Sequence, residues 1–306
     1  MTTAVLLPCY NEATTIEKVI AEYRALLPDA ALYVYDNNSS DDSAERAQRA
    51  GATVVPEYRQ GKGFVIRSMF KDIEADAYLM VDADDTYEAA DVVALLDDVV
   101  SGRADMVVGD RLSSTYFSEN KRAFHNSGNR VVRWLINSIF RSDIDDVMTG
   151  ARAFSRSFVK TYPSLAGGFE VETEMTIHAL DKDFLVTQHP VGYRDRQEGS
   201  QSKLDTIPDG LRVLKTIFAL FKDYRPLLFF GLSSTVLFLV GLGLFLIPLD
   251  EFLTTGVVRR MPTLVVAVSL FIMSLLSMVC GVIIDSIRKQ TRTFFEIELT
   301  RVKGEA

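Results

Sequence analysis

Ala77-Tyr78-Leu79-Met80-Val81 runs straight into Asp82-Ala83-Asp84-Asp85. The first five residues form an unbroken apolar run and read as a buried strand. A strand that ends in alternating carboxylates sets hard oxygen ligands at one point in space. Such ligands suit Mg²⁺ or Mn²⁺, and an ion of that kind usually holds a phosphate. By the two-residue period of a strand, Asp82 and Asp84 share one side.

Outward from this strand the first hundred residues alternate. Strands are predicted at 4–7, 32–35, 53–55, 77–81 and 105–108, with helices at about 14–27, 42–50, 61–74 and 89–100. Alternation of this kind implies a mostly parallel α/β sheet covered on both faces. Ligands of such sheets bind outside the C-terminal strand ends. Pro8-Cys9-Tyr10-Asn11-Glu12, Asp36-Asn37-Asn38-Ser39-Ser40 and the Asp82 cluster all fall there, so they are expected to meet in one crevice.

The chain has 306 residues, 48% of them hydrophobic, and the apolar residues are unevenly spread. Segments 226–249 and 262–284 carry no charge until their ends, long enough to span a bilayer as helices. Lys215, Lys222, Arg225, Arg288, Lys289, Arg292 and Arg301 flank them outside the hairpin, against Arg259 and Arg260 in the 250–261 connector. The positive-inside rule then puts both termini and the 1–205 domain in the cytoplasm, with 285–306 as a cytoplasmic tail. Segment 206–225 reads as an amphipathic helix at the membrane interface, and a second amphipathic pattern runs through Phe124, Gly128, Val131, Leu135 and Ile139. The start of the chain enters a strand at once, so no cleavable signal is expected. Cys9 and Cys280 lie too far apart in kind to suggest a disulfide framework, and the net charge of −8 argues against nucleic-acid binding.

Six motifs in order carry a resemblance: Pro8–Glu12, Asp36–Asp41, Gln60-Gly61-Lys62-Gly63, Asp82–Asp85, Met148–Phe154 and Gly199–Leu204. Together with the two apolar segments they resemble the inverting family-2 glycosyltransferases of the GT-A fold. Within that family the chain looks closest to bacterial polyisoprenyl-phosphate glycosyltransferases with a two-span hairpin, relatives of dolichol-phosphate mannose synthase. The resemblance implies a UDP-sugar donor (glucose or N-acetylglucosamine), an undecaprenyl phosphate acceptor, Mg²⁺ or Mn²⁺ as cofactor, and a membrane-bound homo-oligomer, of tetramer size in some relatives. It also suggests a functional link to a flippase.

Residue by residue, the resemblance places Pro8, Tyr10, Asn11, Glu12, Asp36, Asn38, Lys62, Asp82, Ala83 and Asp84 around the nucleotide sugar, with Asp36 reading the base. Asp82 contacts the ribose or the metal, and Asp84 coordinates the metal. Relatives often carry a Gln where this chain has Thr86, so a third protein ligand is missing from the pattern. Asp145 and Asp146 match the acidic position near the acceptor, with Asp146 closest to the reacting centre as base or as sugar-orienting group. Arg111, Arg122, Arg194, Arg196 and Lys203 are the candidate lipid-phosphate ligands, since guanidinium groups grip phosphate in two places at once. Glu172 either touches the donor sugar or supports the fold. Two other functions fit parts of the pattern. A processive polysaccharide synthase would need Gln-x-x-Arg-Trp, but Arg130 precedes Arg133-Trp134. A non-catalytic sugar-nucleotide-binding partner of a flippase would not require Asp82, Asp84 and Lys62.

Overall fold

The computed structural model describes residues 1–112, 133–165, 167–168, 170–194, 218 and 221–304. They fall into two units, residues 1–207 with 297–306, and residues 208–296.

The first unit is built on a seven-stranded sheet, order β3-β2-β1-β4-β6-β5-β7. Its strands are β1 (Thr3–Cys9), β2 (Ala31–Asp36), β3 (Thr53–Pro56), β4 (Ala77–Met80), β5 (Met106–Asp110), β6 (Arg152–Ser155) and β7 (Val186–Pro190). Four neighbouring pairs are parallel, and β6 runs antiparallel to both β4 and β5. Helices α1 (Ile16–Leu26), α2 (Ser43–Arg49), α3 (Lys62–Asp72), α4 (Ala89–Ala94), α5 (Leu96–Val100), α6 (Arg156–Thr161) and α7 (Val171–Asp181) connect and cover it. The five strands expected from the alternation are all present. The helix expected over 89–100 is broken at Leu95, whose N–H bonds back three residues to the Val92 carbonyl and tightens the turn.

Every residue of β4 is buried, as a strand covered on both faces demands. The chain leaves β1 in one direction to build β2 and β3, and in the other to build β4. The crevice that opens at such a reversal lies beyond the C-terminal ends of β1 and β4. Three non-glycine residues adopt left-handed backbone at the exits of β1, β2 and β4: Asn11 (φ 55°), Asn38 (φ 60°) and Asp85 (φ 57°). Asn and Asp tolerate this region best, so each sharp exit from the sheet is made by a residue type suited to it.

Beneath α7 lies an aromatic cluster. His178 packs edge-on against Phe158 and Tyr162, at ring-centroid distances of 5.8 and 5.3 Å. Burial holds its imidazole down to about 4. Its folded-state value is therefore below the unfolded one, near 6.5. The stabilisation is complete above pH 6.5 and is lost as pH falls from there toward 4. Between pH 7 and pH 5, wild type should lose roughly 2 kcal/mol more stability than His178→Phe, read from denaturant midpoints. Parallel pH curves for the two proteins would refute this assignment.

The second unit holds the long helix α8 (Pro226–Thr255) and most of a second, α9 (Met261–Gly304), whose residues from 297 onward belong to the first unit. Their most apolar windows are only 6% and 17% buried, so by length and composition they are able to cross a membrane rather than fill a soluble core. Small and hydroxylated residues let them approach: Ser234 and Ser274 hydroxyls meet at 3.0 Å, and the Ser277 hydroxyl donates to the Phe230 carbonyl at 3.0 Å. Gly256 (φ 73°) closes α8 in left-handed backbone. α9 runs without a break through residue 304, so the segment expected as a tail is helical. Of the expected 206–225 helix, residues 206–217 and 219–220 lie outside the described residues, and residues 221–224 are helical.

Candidate active site

The site is assembled from the exits of β1, β2, β4 and β5 and from the loop that leads into β6. At the β1 and β2 exits, Asn11 and Ser39 clasp each other's segments: the Asn11 N–H donates to Ser39 Oγ at 2.9 Å, and the Ser40 N–H donates to Asn11 Oδ1 at 2.7 Å. The Glu12 N–H donates to Ser43 Oγ at 2.8 Å. Asp36 Oδ2 accepts from the Ser39 N–H at 3.1 Å, while its buried Oδ1 has no hydrogen-bond partner. An orphaned buried acceptor costs free energy, and it suits a donor N–H arriving from outside. Pro8 and Tyr10 are half-buried beside this exit.

Asn37, absent from the predicted site, organises the turn that carries Lys62. Its amide donates to the carbonyls of Glu57 and Arg59, and its Oδ1 accepts from the Gly61 N–H at 2.7 Å. Asn38 donates to the Tyr58 carbonyl at 3.0 Å. Gly61 has φ 135°, and a Cβ there would collide with the Gly167 carbonyl, so only glycine fits.

Lys62 then points inward. Its Nζ lies 2.5 Å from Asp82 Oδ1 and 2.6 Å from Glu172 Oε1. Burial opposes its charge, but the two carboxylates outweigh burial and hold the ammonium well above the ordinary lysine value. Burial pushes the Glu172 carboxyl up, and the Lys62 ammonium offsets part of that. The second Glu172 oxygen, Oε2, is buried without a hydrogen-bond partner. Two acids around one ammonium leave a net negative cluster, which a cation or the hydroxyls of a sugar can satisfy.

Asp84 is buried, and its Oδ1 accepts from the Thr86 hydroxyl at 2.6 Å and from the Thr86 N–H at 3.3 Å. Thr86 thus steadies Asp84 from behind. Ala83 is buried, with its carbonyl held by the Thr15 hydroxyl at 2.7 Å. Asp85 turns away and pairs with Lys18 at 2.5 Å. Among the described residues no three His, Cys, Asp or Glu side chains gather into a metal site. Two carboxylates on one exit nevertheless match the few protein oxygens that Mg²⁺ takes when a phosphate completes its shell.

The loop before β6 closes the other side. A Cβ at Gly150 would collide with the Asp82 carboxylate, so the two touch. The Gly150 N–H donates to Tyr87 Oη at 3.0 Å, a residue the motifs did not single out. Asp146 is fully buried and grips Arg111 in two places, Nε to Oδ2 at 2.7 Å and Nη2 to Oδ1 at 3.2 Å. Burial works against the Arg111 charge, yet the Asp146 carboxylate outweighs it and keeps the guanidinium firmly protonated. Arg111 also stacks over the Tyr193 ring, 5.4 Å from its centroid.

Asp145 diverges from its neighbour. It accepts from Gln188 Nε2 at 2.9 Å and pairs with Arg133 at 3.4 Å, beside an open hollow of about 470 Å³ that Trp134 and Asn137 also line. Arg194 pairs with Glu88 and lies 3.8 Å from Asp85 Oδ1. Arg122, Arg196 and Lys203 lie outside the described residues.

The chain can be set beside known proteins on this geometry. The profile described as Glycosyl transferase family 2 matches residues 4–162. Glycosyltransferase AglJ of Haloferax volcanii is 33% identical over 299 residues, covering 96% of this chain and 97% of that protein. A dolichyl-phosphate hexose transferase of the same organism is 26% identical over 214 residues, 70% of this chain and 91% of that protein. Among solved structures, glucosyl-3-phosphoglycerate synthase from Mycobacterium tuberculosis, in complex with Mn²⁺ and UDP-glucose, superposes with a TM-score of 0.58 at 23% identity. That match covers 72% of this chain and 78% of the synthase, and shows a shared fold.

Proposed function

Because the chain belongs to glycosyl transferase family 2, we propose that it moves one sugar from a UDP-sugar, glucose or N-acetylglucosamine, to undecaprenyl or a similar polyprenyl phosphate, with inversion. One observation carries this reading: Asp82, two residues before Asp84 in the chain and paired with Lys62, touches Gly150 in the loop that bears Asp146, and Asp146 in turn holds Arg111. A diphosphate-handling cluster and an anion-handling pair thereby flank one point. The two apolar helices suit an enzyme whose acceptor is a membrane lipid, as does a relative named for dolichyl phosphate.

In the proposed reaction, a phosphate oxygen of the lipid attacks the anomeric carbon. The bond from that carbon to the UDP oxygen breaks, and its electron pair leaves with UDP. The nucleophile is already anionic, so no proton need be removed, and placement and charge neutralisation supply the rate. Asp36 Oδ1 accepts from the base. Lys62 supplies a positive charge for the diphosphate, and Arg111 one for the lipid phosphate. Asp146 keeps Arg111 in register and faces the sugar. Mg²⁺ or Mn²⁺, held by Asp82 and Asp84, would neutralise charge on the departing diphosphate. In this reading Glu172 Oε2, which has no hydrogen-bond partner, accepts a sugar hydroxyl. The same reading puts the site on the cytoplasmic side, and a homo-oligomer and a flippase partner rest on the resemblance alone.

The test supplies detergent-solubilised full-length protein with undecaprenyl phosphate, Mg²⁺ or Mn²⁺, and a panel of UDP- and GDP-sugars. A glycolipid bearing a single sugar is expected with at least one UDP-sugar. Long polysaccharide would favour a processive synthase. UDP binding without product from any donor would overturn the reading.

A further inference from the structure

Arg152 opens β6, the strand that lies between β4 and β5 and pairs Arg152 with Met80 on one side and Val108 on the other. Its side chain is wholly buried. Buried guanidinium groups are ordinarily matched by a carboxylate, because removing an ion from water is costly. This one makes no ion pair among the described residues. Its donors go instead to the backbone of the loop before it: Nε to the Thr149 carbonyl at 3.1 Å and Nη2 to the Val147 carbonyl at 3.0 Å. Nη1 donates to Thr176 Oγ1 at 2.9 Å. The Thr176 hydroxyl in turn donates to the Glu172 carbonyl at 3.1 Å.

The gripped carbonyls sit between Asp146 and Gly150. One neighbour holds the Arg111 pair, and the other touches Asp82. On the far side, Thr176 and Glu172 share a turn of α7, and the Glu172 carboxylate holds Lys62. A planar fork with donors in three directions meets all of these at once, which the single ammonium of a lysine does not. We infer that Arg152 is a positioning residue, a buried cation that fixes the Asp146–Gly150 loop from inside and ties it through Thr176 to the helix carrying Glu172. The inference rests on the reading of Asp82 and Asp146 as groups at the reacting centre.

The test uses full-length protein in detergent and the variants Arg152→Lys, Thr176→Val and Thr176→Ser. Arg152→Lys keeps the charge and loses the fork. Thr176→Val keeps the volume and loses the hydroxyl, and Thr176→Ser restores the hydroxyl. Arg152→Lys and Thr176→Val should each lower kcat about tenfold, with the donor KM within about twofold of wild type. Thr176→Ser should behave as wild type. Amide exchange over residues 146–151 should quicken in the first two variants, with β1 and β2 unchanged. A purely structural role would instead quicken exchange across the whole sheet and leave the kcat of folded protein intact, and that result would overturn the inference. So would wild-type kcat and wild-type loop exchange in both variants. If Arg152→Lys fails to fold, the Thr176 pair decides. A wild-type protein that transfers no sugar would refute the proposed function, while the local exchange pattern would still decide the role of Arg152.

Discussion

Asp84→Asn should reduce glycolipid formation on the order of a thousandfold while the protein stays folded. Asp84 is buried, and one of its oxygens accepts both the hydroxyl and the N–H of Thr86. Asparagine has the same shape and retains an oxygen that can face Thr86, so the turn after β4 keeps its bonds. Only the charge is lost. A divalent ion shared between two carboxylates and a diphosphate contributes several kcal/mol to the transition state, and each 1.36 kcal/mol is a factor of ten. Losing one of two anionic ligands should remove most of that. Mn²⁺ binding in the presence of UDP, followed by electron paramagnetic resonance, should weaken in parallel with the rate. Asp82→Asn is a less clean experiment, because it also strips Lys62 of one of its two carboxylates. Wild-type turnover by Asp84→Asn, or unchanged Mn²⁺ affinity, would remove Asp84 from the metal site.

The frame of this protein was legible because it depends on local pattern. Continuous apolar runs such as Ala77–Met80 have one stable fate between helices, and turn residues mark where each strand ends. The motif residues at those ends were legible for the same reason. Their partners were not. Lys62 reads as a residue of the nucleotide-sugar site, and its bridge between Asp82 and Glu172, which lie twenty and more than a hundred residues away, is not visible in the pattern. Arg111 and Asp146 read as separate ligands and form one pair. Pairings of this kind are set by strand order, and the insertion of antiparallel β6 between β4 and β5 is what brings the Met148–Gly150 turn against Asp82. Arg152 left one faint signal, a lone charge in the strand-like stretch Ala151-Arg152-Ala153-Phe154. Charges in strands are usually solvated, so burial had to be seen. The continuation of α9 past residue 284 is not legible in the hydropathy, which marks where a membrane ends, while the polar helix formers beyond it propagate the helix regardless.

Gly150→Ala should lower kcat/KM for the donor on the order of a hundredfold through a single methyl group. The backbone of Gly150 is not in the left-handed region, so alanine meets no conformational barrier there. The obstacle is space. A Cβ would land on the Asp82 carboxylate, whose own position is held by Lys62 at 2.5 Å. The short aspartate side chain has few alternatives. Either it rotates away and leaves Lys62 with Glu172 alone, or the loop retreats and stretches the bond from the Gly150 N–H to Tyr87 Oη. Both outcomes move Asp82 relative to Asp84 or relative to Asp146. A displacement of about 1 Å at a reacting centre is enough for a hundredfold loss. Stability should fall much less, by about 1–3 kcal/mol, as overpacking usually costs. Gly231→Ala is the control: Gly231 has open space around it and lies on α8, in the other unit. The two variants should express and purify alike, and only Gly150→Ala should lose transfer. Full activity in Gly150→Ala would mean that Asp82 and the loop before β6 do not share the reacting centre.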